Sequence, residues 1–185
     1  MQMRKSPGVF GYEGLGYPLR EITFDAAGKA TQAVEEFNSL NSLYEKTEDP
    51  AALHQLFEAR KQMEYHGTIA IVMSISFIDS IFYRYACFKF HPDDVKHLFK
   101  SNGFIKAWSK ILEEAKGMNF EKAHPARQRL EKLNEARKAI VHQKAIWITT
   151  ETTELNQDES EWENFKAAIA DLKPLLDDCV RLLDK

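Results

Sequence analysis

Residues 68–88 read TIAIVMSISFIDSIFYRYACF, and the fold turns on whether this run crosses a membrane or fills the inside of a helical bundle. A spanning helix needs about 20 predominantly apolar residues with few charges. Here Ser74, Ser76, Asp79, Ser80 and Arg84 interrupt the run, so it reads as a buried helix, apolar nearly all round as a central helix is. It keeps one narrow polar stripe. Thr68, Ser76, Asp79 and Tyr83 fall within about 80° on a helix that turns about 100° per residue. A buried stripe of that kind needs partners.

Working outward, DPAALHQLFEARKQMEYHG (49–67) opens on Asp49 as an N-cap, with Pro50 at the first helical position. The helix is predicted to run through Gly67 and end near Phe90. Before it, DAAGKATQAVEEFNSLNSLYEKT (25–47) has Val34, Phe37, Leu40 and Leu43 at helical spacing. After it, HPDDVKHLFKSNG (91–103) and FIKAWSKILEEAKG (104–117) are short helices stopped by Gly103 and Gly117. A further helix begins near Pro125 and lasts to about Ala145. IWITTETTEL (146–155) is β-prone and reads as an extended connection. The last helix spans about Glu159 to Leu183, with Pro174 as a kink. Residues 1–24 hold Gly8, Gly11, Gly14 and Gly16, a density that makes regular structure costly. They read as an irregular arm, with LREITFD (19–25) as a candidate short strand. The fold class is therefore all-α, a bundle of five or six helices over residues 25–185.

At 185 residues and 44% hydrophobic the chain is one domain able to bury a sizeable core. A net charge of −3 excludes a generally basic nucleic-acid coat but leaves room for a local basic groove. Cys87 and Cys179 are isolated thiols that suit a reducing compartment. The opening residues carry Pro and Gly where a signal peptide needs an apolar run. A soluble, cytoplasmic protein with no membrane span is the expectation.

The candidate site lies in LNEARKAIVHQ (133–143). Leu130, Leu133, Ile140, Val141 and Ile148 centre on one side of that helix, and Arg137 falls near the middle of them. A buried guanidinium requires a carboxylate, a phosphate or a solvent cleft. An internal pair with Asp79 or Glu64 meets the need, and so does a functional cleft. His142, which on its own is equally a surface or core histidine, lies about 140° round the helix from Arg137. One helix cannot easily bring both groups to a point, whereas two copies crossing at a dimer interface can. Lys122, Arg127, Arg129, Lys132, Arg137, Lys138 and Lys144 crowd residues 122–144 against only Glu131 and Glu135. That is either a solvated basic face or a phosphate-binding one.

NEARKAIVHQ resembles the signature of the HEPN superfamily, an Arg followed by a His late in a helical bundle. Here the pair is Arg137 and His142, an R-x4-H, and SISFIDSIFYRY resembles the inner acid-bearing helix of the family. The resemblance runs from about residue 30 onward and implies a HEPN-like bundle acting as a homodimer. It also implies a metal-independent, cofactor-free endoribonuclease, as in toxin–antitoxin or phage-defence systems, with a cognate antitoxin protein as a further partner. Arg137 and His142 would be catalytic, and Asp79 and Lys138 supporting. Arg127, Arg129 and Lys144 would contact RNA. Lys138 stands where many members carry a polar residue, often Asn. Other members are non-catalytic binding modules, which makes a module for RNA, a nucleotide or a protein the rival reading.

Other chemistries find less support. The remaining histidines (His54, His66, His91, His97 and His124) lack metal-ligand spacing, and the N-terminal glycines match no phosphate-binding loop.

Overall fold

The computed structural model describes residues 16–149 and 159–184, with side chains described over 18–140 and 162–183. Among these residues the chain forms seven helices and no strand. They are α1 (Gly16–Thr47), α2 (Pro50–Lys89), α3 (Pro92–Ser101), α4 (Phe104–Lys116), α5 (Pro125–Thr149), α6 (Glu159–Ala170) and α7 (Leu172–Asp184). The chain is all-α, as its periodicity implied.

Local chemistry sets the boundaries. The Asp49 carboxylate accepts the Ala51 N–H at 2.9 Å and starts α2, with Pro50 in its first turn. The His91 side chain accepts the Asp93 N–H at 3.4 Å ahead of Pro92. Gly117 adopts φ 62°, a conformation glycine takes without penalty, and its N–H donates to Glu113 O at 2.8 Å to close α4.

Three elements differ from the expectation. Residues 19–25 are helical, not a strand, and α1 begins at Gly16, ahead of the boundary drawn at residue 24. Pro18 sits in the first turn, where no N–H is needed. The Thr23 hydroxyl donates to Leu19 O at 2.6 Å, and a buried stripe of Ala26, Ala27, Ala30 and Ala33 continues the face. The glycines at 8, 11 and 14 lie outside the described residues. Residues 146–149 finish α5 and are not an extended link, while 150–158 lie outside the description. The last helix is two helices, which raises the number to seven. Pro174 has no N–H for Ala170 O, and its ring collides with that carbonyl, so the chain breaks at Asp171 and restarts.

α1 and α2 are joined through Glu48 and Asp49 and pack along one another, with Phe24 meeting Phe77 edge to ring at 6.4 Å. The link is too short for anything but an antiparallel pair. α2 also contacts every later helix. Trp108 of α4, fully buried, stacks on Phe82 of α2 at 3.8 Å. Gly67 lets α6 approach closely, because a Cβ there would lie 2.5 Å from Ile169 Cδ1 and 2.6 Å from Phe165 Cζ. At the far end the Lys116 ammonium donates to Leu182 O, tying α4 to the end of α7.

One face of α2 is left uncovered by the described residues. Tyr65 (62% exposed), Ile69 (37%), Val72 (42%) and Tyr83 (38%) reach solvent together with Ser76 and Asp79. Their spacing alternates four and three residues, the period of a coiled-coil seam. The polar stripe thus lies on an open face and needs no buried partner; the Ser76 hydroxyl donates back to Val72 O at 2.9 Å. α2 is long and apolar enough by length and composition to cross a membrane, and half of its most apolar stretch is buried in the bundle.

Candidate functional site around Arg137 and Asp79

α5 buries Ala126, Leu130, Leu133 and Ala136 on its inner side. Most basic residues around that stripe are already neutralised. Arg127 pairs with Glu131 at 3.0 Å and donates to Phe120 O at 2.7 Å, fastening α5 to the segment before it. Arg129 reaches Asp178 at 2.5 Å and Asp171 at 3.7 Å, and Lys132 reaches Asp171 at 3.2 Å, so both lock α5 to the α6–α7 region. Arg127 and Arg129 are therefore cross-links within the fold, not open phosphate contacts as the sequence suggested. A guanidinium already engaged by carboxylates has little charge left for a polyanion. Lys138 is exposed and pairs with Glu135 at 2.7 Å.

Arg137 is different. It is exposed, not buried among apolar side chains, and among the described residues it makes no ion pair or hydrogen bond. The helical wheel placed it centrally on the premise that a partner covers α5 along its whole length. The burial instead follows Leu133, Ala136 and Ile140, and cover is lost on the Arg137 side. Glu64 is paired with Arg60 at 3.1 Å, so it does not take Arg137. Asp79, on the open face of α2, feels the Arg137 charge. Burial of one side of its carboxyl holds the pKa above the usual carboxylate range, and Arg137 offsets this only in part. An exposed guanidinium without an ion pair among the described residues is suited to binding an anion.

His142 and Lys144 lie on α5, with side chains outside the described residues. The structure therefore brings Asp79 and Arg137 into one neighbourhood and separates Arg127 and Arg129 from it. Among the described residues there is no group of three or more His, Cys, Asp and Glu able to hold a metal ion. The open α2 seam went unread in the sequence, although its 4-3-4-3-4 spacing from Tyr65 to Tyr83 was there to find. Tyr83 itself touches Phe99 of α3 ring to edge at 5.2 Å.

No family model, no curated protein and no solved structure matches the chain, so the site rests on its own residues and their geometry.

Proposed function

We propose that the chain is a metal-independent endoribonuclease with a HEPN-like bundle, working as a homodimer in the cytoplasm, in a toxin–antitoxin or phage-defence setting. The observation that carries this reading is Arg137 at the start of the R-x4-H string, which is exposed, makes no ion pair among the described residues, and lies close enough for its charge to act on Asp79. An arginine serving only as an internal ion pair would be engaged by a carboxylate, as half-buried Arg129 is.

His142 takes the proton from the ribose 2′-hydroxyl or delivers one to the leaving 5′-oxygen, roles that a group of pKa about 6.5 performs near neutrality. The 2′-oxygen bonds to phosphorus as the bond to the 5′-oxygen breaks, leaving a 2′,3′-cyclic phosphate. Arg137 supplies fixed donors to the charge that develops on the phosphoryl oxygens, and Asp79 orients it. The open α2 seam supports the second copy, because four exposed apolar side chains on one helical face are unusual on a monomer. On this reading the interface includes α2 as well as α5.

Incubating the purified protein with RNA in excess EDTA tests the reading. Cleavage should persist, fall by about 10²–10⁴-fold in His142→Ala, and fail at a site whose 5′-side nucleotide is 2′-deoxy. Cutting of the deoxy bond, or loss of activity with EDTA, would overturn it. Binding without cleavage favours a non-catalytic module, which the engagement of Lys138 by Glu135 also suits.

A further inference from the structure

Among the described residues, a second group of cations without ion pairs lies outside α5. Residues 80–110 carry six basic residues against Asp93 and Asp94, in a chain whose net charge is −3. Asp94 is buried and Asp93 sits 3.6 Å from His91. Arg84, Lys96, Lys100 and Lys106 are exposed and form no ion pair among the described residues. They come from α2, α3 and α4, three helices in mutual contact at one end of the bundle. Beside them the Phe88 ring is open (39% exposed), with the Lys89 ammonium 5.2 Å from its centroid.

We propose that this end of the bundle is a docking surface for single-stranded RNA. The proposal rests on the ribonuclease reading only for the identity of the polymer. Four cations without an ion pair among the described residues fit a phosphate backbone, since each phosphate contact releases a counterion. An exposed ring beside cations fits an unstacked base, which a duplex does not offer. Position joins the surface to the site. Tyr83 lies one turn beyond Asp79 on the same face of α2, about 6 Å along the helix, and Asp79 feels Arg137. A strand held by α3 and the end of α2 therefore leads towards α5.

Fluorescence anisotropy tests it, with a labelled 12-nucleotide RNA, the same RNA in a duplex, and vesicles with and without anionic lipid. Wild type should prefer the single strand. Lys96→Glu with Lys100→Glu should weaken binding at least about tenfold and flatten the salt slope by about 1.4, at about 0.7 per lost contact. Phe88→Ala should weaken it about 5- to 100-fold through lost stacking, while the remote Lys173→Glu should leave it unchanged. Unaltered binding in the double variant, a preference for duplex or for vesicles, or no RNA binding by wild type would each overturn the surface. Cleavage is scored separately. Binding at this surface without cutting removes the ribonuclease and keeps the surface, whereas cutting with an insensitive double variant does the reverse.

Discussion

Arg129 and Arg137 lie two turns apart on α5, and replacing each by Ala should have opposite consequences. Arg129 is about one-third exposed and joins two carboxylates of the α6–α7 region at 2.5 and 3.7 Å, which are themselves about 29% exposed. Breaking a fully buried pair costs about 3–5 kcal/mol, and a surface pair contributes about 0–1 kcal/mol. The solvent screening at Arg129 puts Arg129→Ala between them, at about 2 kcal/mol. For a chain of this size that is a fall in Tm of about 4–8 °C. Arg137 has no such partner among the described residues, so Arg137→Ala should stay within about 0.5 kcal/mol of wild type. Its loss should appear in RNA cleavage, on the order of 10²–10³-fold by analogy with the removal of one donor from an oxyanion hole. Urea unfolding of both variants at equal protein concentration, with cleavage measured on the same samples, separates the two roles. An Arg137→Ala protein destabilised by more than about 2 kcal/mol would refute the reasoning, because Arg137 would then be a cross-link of the fold.

Val72→Glu places a charge on the open α2 seam at an exposed position, so it should abolish self-association in light scattering while leaving the far-ultraviolet spectrum unchanged; a dimer of undiminished affinity would exclude the seam. Asp79 has a folded pKa above its unfolded value, so the folded state binds the proton more tightly, and stability is lost as pH rises from the unfolded to the folded value. Asp79→Asn should therefore unfold at a higher temperature than wild type at pH 7, with the gap closing in acid, and a gap that widens in acid would contradict this. Burial pushes both thiols up, that of Cys179 far more than that of half-buried Cys87. A thiol reagent at pH 8 should thus label Cys87 slowly in the native protein and Cys179 only after denaturation.

Features set by a few neighbouring residues were legible in the sequence. Asp49–Pro50 and Gly117 mark helix ends wherever they occur, because capping is local chemistry. Glycine density misled at the N-terminal side, where the alanine stripe from Ala26 to Ala33 makes a helix that starts as early as Gly16. The site was half legible. Periodicity placed Arg137 on the inner side of α5 but holds no information about where a partner helix stops covering that side. The same gap hid the α2 seam, since an apolar face looks alike whether it meets the core or a second molecule. The ion pairs that occupy Arg129 join residues up to 49 positions apart, beyond the reach of any local pattern.

The hairpin of α1 and α2 also bears on how the chain folds. Its turn is two residues long and includes Glu48 at φ 50°, a left-handed conformation that is uncommon outside glycine. Short closure carries little entropic penalty, and a pair of helices rich in local contacts assembles quickly. The α6 helix can dock only afterwards, since Trp162 needs Phe37 from α1 and Phe165 needs the notch at Gly67 of α2. Folding should then proceed from the hairpin outward, with substitutions at the α1–α2 contact slowing refolding and those in α6 mainly hastening unfolding.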